Sequence, residues 1–152
     1  MSQPLPAFDG EQLRILIVDD DRFQLELLTD MLCELGDFAV RSRSDARSAL
    51  LALAESPHLL ICDLSMPDMD GIEFMHAASL AGYPGKILLL SGMDSGVRHA
   101  AEHLALAHGL QVIGTYQKPI THEGLKSALS RLLETQESGS GNSHNLTPFF
   151  SK

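Results

Sequence analysis

Five short apolar runs alternate along the chain with five helix-like patterns, and this alternation constrains the fold more than any other feature. The clearest runs are continuous and rich in β-branched residues, which is typical of strands buried on both faces of a parallel sheet. The runs lie at residues 13–18, 39–40, 59–62, 87–90 and 112–113. Strands that alternate with helices through short connections predict a doubly wound α/β fold with right-handed crossovers.

Between the runs, apolar residues recur every three or four positions, as they do on one face of a helix. The five predicted stripes are Phe23, Leu27, Leu28, Met31, Leu32 and Leu35; Ala46, Ala49, Leu50, Leu53 and Ala54; Ile72, Phe74, Met75 and Ala78; Val97, Ala100, Ala101, Leu104 and Ala105; and Leu125, Ala128, Leu129, Leu132 and Leu133. We expect Gly36 to end the first helix and Thr121 to cap the fifth.

Length and composition indicate one globular domain with less ordered ends. The chain has 152 residues, 44% of them apolar and 20% charged, which is near the average for globular proteins. We predict a leader at residues 1–11, the domain at residues 12–137, and a flexible linker or tail at residues 138–152. The tail is rich in Ser and Gly, and its composition suits a chain that continues into an output domain.

The charge balance and the terminal sequence exclude several classes of protein. A net charge of −9 argues against nucleic-acid binding by this domain, because such binding needs a basic surface. No apolar run is long enough to span a bilayer, and the N-terminus does not read as a secretion signal, so we expect a cytoplasmic protein without membrane contacts. Two cysteines, Cys33 and Cys62, are too few for a disulfide scaffold.

Polar side chains follow four of the five apolar runs, at the points where the strands should end. They are Asp19, Asp20, Asp63, Ser91 and Lys118. Because the carboxyl ends of parallel strands lie at one edge of a sheet, we expect these side chains to meet there. Clustered carboxylates resist ionising together unless a cation neutralises them, and their hard oxygen atoms suit Mg²⁺.

This set of groups suits phosphoryl transfer. One carboxylate would attack phosphorus and form an acyl phosphate, while a hydroxyl and an ammonium group hold the remaining phosphoryl oxygens. Gly92 follows Ser91 and is expected to leave room for the incoming group.

These residues lie in motifs that resemble those of response-regulator receiver domains in two-component signalling. Residues 15–21 resemble the acidic-pair motif of that family, and residues 60–71 closely resemble the motif around its phosphoacceptor. Ser91 with Gly92 matches the switch hydroxyl, and Lys118 with Pro119 matches the lysine–proline pair. The order and spacing of the motifs agree over residues 12–135, which is most of the chain.

The resemblance implies a flavodoxin-like fold, with a five-stranded parallel sheet in the order 2-1-3-4-5 and five helices. It also implies that the Lys118–Pro119 peptide is cis. Asp63 would accept a phosphoryl group from a histidine kinase or phosphotransfer protein, and Ser91 and Lys118 would then bind that group.

The implied Mg²⁺ ligands are Asp19, Asp20, Asp63 and the backbone carbonyl of Ser65, with Asp19 acting mostly through water. The implied protein is a conformational switch rather than an enzyme, acting on its own output domain or on a partner protein. A homodimer stays open.

Two details set this sequence apart within the family. The usual aromatic switch residue, three positions before the lysine, is Thr115 here, and Tyr116 should point to the opposite face of its strand. We therefore expect the output to depend on other parts of the fourth helix and fifth strand.

Residues 77–82 and 109–114 resemble receivers that are fused to cyclic-di-GMP phosphodiesterase (EAL) domains.

Simpler readings of the same residues stay open. Residues 19–21 could cap the first helix, and the chain could be a pseudo-receiver that binds partners without phosphorylation. His99, Glu102 and His103 form an H-x-x-E-H motif, which leaves a zinc hydrolase as a remote alternative that still needs a third ligand.

Overall fold

The computed structural model describes residues 12–64, 71–92 and 95–141, in which five strands and five helices alternate. The strands are β1 (Arg14–Val18), β2 (Ala39–Arg43), β3 (Leu59–Asp63), β4 (Lys86–Ser91) and β5 (Gln111–Gln117). The helices are α1 (Arg22–Leu35), α2 (Ala46–Leu53), α3 (Gly71–Leu80), α4 (Ser95–Ala107) and α5 (His122–Gly141). None of the helices in these ranges is both long and apolar enough to cross a bilayer.

All strand pairs are parallel, and the sheet has the order β2-β1-β3-β4-β5, so the predicted topology is confirmed. Every residue of the central strand β3 is buried, as its continuous apolar sequence predicted. The chain winds one way from β1 to β2 and the other way from β3 to β5. The carboxyl ends of β1 and β3 therefore flank the switch point, where doubly wound folds bind their ligands.

The sheet separates two apolar cores. Alternate residues of each strand point to opposite faces, so Leu16 of β1 packs with α2, α3 and α4, while Ile17 packs with α1 and α5. Phe74 is fully buried in the first core and Leu32 in the second. Burying each such side chain contributes about 1.5–3 kcal/mol, which makes the sheet a rigid support for groups at its edge.

The predicted stripe of α1 was wrong at its first turn. Phe23 is 69% exposed, whereas Leu25, which the stripe omitted, is buried with Leu28. At helical spacing Phe23 lies about 140° around the axis from Leu28, too far to face the same core. Ala54 and Ala100 are also exposed, because Ala54 lies at the C-cap of α2 and Ala100 on the outer side of α4.

The remaining helix predictions agree with the structure where it describes them. The five apolar residues assigned to α5 are all buried. Gly36 is the C-cap of α1, and Thr121 Oγ1 accepts a hydrogen bond from Gly124 N at 2.9 Å, which makes it the N-cap of α5. α5 continues to Gly141, so the first residues of the predicted linker extend this helix. The domain boundaries themselves stay a prediction.

Replacing the cap residue tests this account of α5. Thr121→Ala removes the acceptor for Gly124 N and is expected to lower the free energy of unfolding by about 1 kcal/mol. Thr121→Ser keeps the hydroxyl and should lie close to wild type. Urea unfolding followed by circular dichroism measures both values, and equal losses in the two variants would contradict a capping role.

Candidate functional site

The residues predicted to form a site do meet at the carboxyl edge of the sheet. Asp19 directly follows β1, Asp63 ends β3, and Ser91 ends β4. Lys118 directly follows β5, and its backbone N–H donates to the Ser91 carbonyl at 2.7 Å. The parallel sheet therefore brings together groups that are up to 99 positions apart in the sequence (118 minus 19).

Three carboxylates form the acidic part of this edge. Asp19, Asp20 and Asp63 each offer one oxygen, and these oxygens lie within 4.8 Å of one another. Asp19 and Asp63 are fully buried, while Asp20 is exposed. Asp19 is fixed in place, because its Oδ1 accepts from Asp21 N at 3.0 Å and its own N–H donates to Arg43 O at 3.2 Å.

The Lys118 ammonium provides the positive charge of the site. Nζ lies 3.1 Å from Asp63 Oδ2 and 3.6 Å from Asp19 Oδ2, so one cation contacts both buried carboxylates. Partial burial lowers the pKa of Lys118, but attraction to Asp63, Asp19 and Asp20 outweighs that effect and leaves its pKa raised. The Lys118–Pro119 peptide is cis, as predicted.

The balance of charge at the site favours a further cation. Burial raises the pKa of Asp19 well above its usual range, a hydrogen bond from Asp21 N lowers it, and repulsion from Asp63 raises it again. Lys118 offsets only part of the repulsion between the carboxylates. Among the described residues of the site, two buried carboxylates and one exposed carboxylate are thus balanced by one ammonium group, which leaves a net negative charge.

The donor set fits Mg²⁺. Asp19 Oδ2 is buried and accepts no hydrogen bond from the part of the chain that the structure describes, so a ligand position is available. Three hard carboxylate oxygens at one sheet edge, one of them open to solvent, suit an ion that retains several waters. Ser65, the fourth predicted ligand, lies outside the described residues.

Ser91 closes the edge on the β4 side. It is 3% exposed, and within the described ranges its hydroxyl donates a long hydrogen bond of 3.4 Å to the carbonyl of Gly92. A Cβ added at Gly92 would meet no atom within 4 Å. The described residues therefore leave space at Gly92 and do not themselves require a glycine there.

The simpler readings hold for only some of these residues. Asp21 does cap α1, since its Oδ1 accepts from Phe23 N at 2.9 Å. His99 and His103 are exposed on α4. Among residues 12–64, 71–92 and 95–141, the only group of three metal-ligating side chains is the aspartate cluster, so the zinc alternative finds no third ligand there.

Glu102 has a role that the sequence did not reveal. Its Oε2 accepts a hydrogen bond of 2.6 Å from the hydroxyl of Thr115. Tyr116 lies on the opposite face of β5, as predicted, where its hydroxyl accepts from Arg131 Nη2 at 2.5 Å. In the sequence, Glu102 stood out only as part of the H-x-x-E-H motif. That motif predicted a metal site and not a hydrogen bond to β5.

The family of the chain follows from comparison with known proteins. Residues 15–130 match the family model described as the response regulator receiver domain. The chain therefore belongs to the response-regulator receiver family, the phosphorylation-site-bearing module of two-component signalling. Its acidic pocket of Asp19, Asp20 and Asp63 fits the phosphorylation site of such a domain.

Individual relatives differ in how much of them the chain covers. The cyclic di-GMP phosphodiesterase RocR of Pseudomonas aeruginosa is 30% identical over 121 residues, which are 78% of this chain but 31% of RocR. A probable chemotaxis protein CheY of Rhizobium etli is 32% identical over 121 residues, covering 79% of this chain and 92% of that protein. The chain thus spans about a third of one relative and nearly all of the other.

Solved structures agree with the fold. The crystal structure of a response regulator from Colwellia psychrerythraea matches with a TM-score of 0.71 and 38% identity, covering 82% of this chain and 99% of that one. The signal receiver domain of an HD domain-containing protein from Pseudomonas fluorescens matches with a TM-score of 0.72 and 27% identity, covering 84% and 99% of the respective chains.

Proposed function

We propose that Asp63 accepts a phosphoryl group from a phosphohistidine of a kinase or phosphotransfer protein, with the help of Mg²⁺, and that this event switches the conformation of the domain. The observation that supports the proposal best is the position of Asp63. It is a fully buried carboxylate that contacts Lys118 at 3.1 Å and lies with Asp19 and Asp20 at the switch point of the sheet.

The chemistry balances with groups of this chain and the phosphodonor. A carboxylate oxygen of Asp63 attacks phosphorus and forms a P–O bond, while the P–N bond to the imidazole breaks. The other ring nitrogen of the phosphohistidine carries a proton, so the nitrogen that loses phosphorus keeps the electron pair of the P–N bond and the group leaves as neutral imidazole. Lys118 then pairs with a phosphoryl oxygen, and the Ser91 hydroxyl donates to another.

Asp19, Asp20 and Asp63 would hold the Mg²⁺ ion, together with Ser65 as a further proposed ligand. When bound, Mg²⁺ supplies positive charge that offsets the repulsion between the carboxylates and the incoming phosphoryl oxygens. The chain's own part is to keep Asp19 fixed through Asp21 N and Arg43 O, so that its Oδ2 stays at the site beside Lys118.

Replacing each of two neighbouring aspartates by asparagine tests this proposal. Incubation of the wild type with a small-molecule phosphodonor and Mg²⁺ should add one phosphoryl group, detected by intact mass. Asp20→Asn removes an exposed ligand charge and should raise the Mg²⁺ concentration for half-maximal labelling by roughly ten-fold. Asp21→Asn is the matched control, because asparagine caps a helix as well as aspartate does.

Three outcomes would count against the proposal. Labelling of the wild type that is independent of Mg²⁺ would remove the role of the metal, and absence of labelling would favour the pseudo-receiver reading. An equal effect of Asp20→Asn and Asp21→Asn would show that a general loss of surface charge causes the change.

The output of the switch is a proposal of its own. We infer that this receiver controls an output domain or partner protein in the cytoplasm, and that a cyclic-di-GMP phosphodiesterase domain is the best candidate. The relationship to RocR supports this, as do the segments at residues 77–82 and 109–114. A cyclic-di-GMP hydrolysis assay on the full native gene product, with and without phosphodonor, tests it, and unchanged hydrolysis would contradict it.

A further inference from the structure

Two adjacent residues of strand β5 form side-chain hydrogen bonds to the two neighbouring helices, one to each helix. Thr115 bonds Glu102 of α4 at 2.6 Å, and Tyr116 bonds Arg131 of α5 at 2.5 Å. Gly114 makes the second contact possible, because a Cβ there would approach Tyr116 Cε1 to 2.9 Å and Arg131 Nη2 to 3.0 Å. The two contacts lie on opposite faces of the sheet.

The hydrogen bond between Thr115 and α4 lies on the face of the sheet to which the Ser91 side chain also points. Thr115 pairs with Leu89 of β4, and Ser91 lies two residues further along that strand, so Thr115 and Ser91 share one face. α4 begins at Ser95, four residues after Ser91. Glu102 is seven residues into this helix, about 10 Å along its axis.

We propose that the Thr115–Glu102 hydrogen bond is a latch that holds α4 against β5 while Asp63 is unphosphorylated, and that phosphorylation opens it. This inference rests on the proposed function of Asp63. The bond is formed in the arrangement in which Lys118 contacts Asp63 directly, at 3.1 Å. A charge-assisted hydrogen bond between half-buried groups favours that arrangement over one in which α4 has moved.

The connection to the site runs through the chain itself. In the proposed switch, the Ser91 hydroxyl turns to a phosphoryl oxygen, and this displaces the start of α4, which lies only four residues further along the chain. α4 is a 13-residue helix and moves as a unit, so displacement at Ser95 is carried to Glu102. The hydroxyl of Thr115 stays with the sheet, because β5 is paired along its length with β4.

The latch changes the role assigned to Thr115. From the sequence, this residue was expected to contribute little to the output, since it lacks the aromatic ring found at this position in the family. The structure assigns it an inhibitory hydrogen bond instead. Removing the bond should therefore favour the phosphorylated conformation and not block it.

Removing either partner tests the latch in the full chain. Thr115→Val and Glu102→Ala should each raise the initial rate of Asp63 labelling by about 3- to 10-fold, with phosphodonor and Mg²⁺ held constant. Hydrogen exchange of α4 amides in the unlabelled protein should become faster in both variants. The double variant should match the singles, because the two residues form one interaction.

Two conservative variants control for packing. Thr115→Ser keeps the hydroxyl and should behave as wild type, and Tyr116→Phe removes the neighbouring hydroxyl of β5 on the other face and should change neither rate nor exchange of α4. Where Glu102→Ala fails to fold, Glu102→Gln keeps the shape, weakens the bond and should give a smaller change of the same sign.

The outcomes separate the two proposals. Wild-type labelling with unchanged or slower labelling of Thr115→Val overturns the latch and leaves Asp63 as acceptor. Additive effects of the two substitutions, or an equal effect of Tyr116→Phe, also overturn it. Absence of labelling in every variant, including the wild type, overturns the proposed function and the latch with it.

Discussion

Asp63→Asn is expected to abolish phosphoryl uptake from a small-molecule donor in the presence of Mg²⁺. The amide oxygen of asparagine lacks the negative charge that makes a carboxylate a nucleophile, and an acyl phosphate cannot form on it. Asp19 and Asp20 do not replace it, because Lys118 lies closer to Asp63 (3.1 Å) than to Asp19 (3.6 Å), and Asp20 is exposed at the rim. Intact mass of the variant should show no mass equal to one phosphoryl group.

A second carboxylate provides the matched control for this substitution. Asp45 caps α2 by accepting from Ser48 N at 2.8 Å, and asparagine can make the same contact. Asp45→Asn should therefore be labelled as fast as the wild type. Labelling of the Asp63→Asn variant would mean that another residue accepts the phosphoryl group, and loss of labelling in Asp45→Asn would indicate a less specific defect.

The location of the site was predictable because it depends on topology. Asp19, Asp63, Ser91 and Lys118 each follow an apolar run, and the ends of parallel strands have to lie at one edge. No side-chain detail is needed for that inference. The same holds for the strand order, which follows from the family once its motifs are recognised in sequence.

Contacts that depend on side-chain direction were not predictable in the same way. The Thr115–Glu102 bond joins residues 13 positions apart, and it forms only because α4 packs with Glu102 over β5. The sequence wrongly predicted Phe23 and not Leu25 on the buried face of α1 for a similar reason. Both residues fit a loose spacing of three to four, and only the packing angle of α1 decides which of them is buried. Periodicity identifies a helix but does not fix the edges of its buried face.

Lys118→Met is expected to destabilise the protein by about 1–3 kcal/mol in the absence of Mg²⁺. Methionine keeps most of the length of the side chain but removes the ammonium that contacts Asp63 and Asp19. Breaking a fully buried ion pair costs about 3–5 kcal/mol. We expect a smaller loss of about 1–3 kcal/mol because the Lys118 side chain is 23% exposed. Urea unfolding with a chelator present measures this loss.

The pH of that measurement is decided by the raised pKa of Lys118. Since its folded pKa lies above the unfolded value, its attraction to the carboxylates is fully present below the unfolded pKa and is lost as the pH rises through the folded one. A measurement at about pH 9, above the raised pKa of Asp19 and below the unfolded pKa of lysine, therefore reports the whole effect, and the wild type and Lys118→Met should converge in stability at strongly alkaline pH.

Repeating the Lys118→Met substitution in the Asp63→Asn variant identifies the origin of the loss of stability. With one buried carboxylate removed, less negative charge is left uncompensated, so Lys118→Met should cost less there than in the wild type. Mg²⁺ should recover part of the stability of the single Lys118→Met variant, because it brings positive charge to the same carboxylates. An equal cost in both backgrounds, with no recovery by Mg²⁺, would show that Lys118 stabilises the fold through packing of its aliphatic chain and not through its charge.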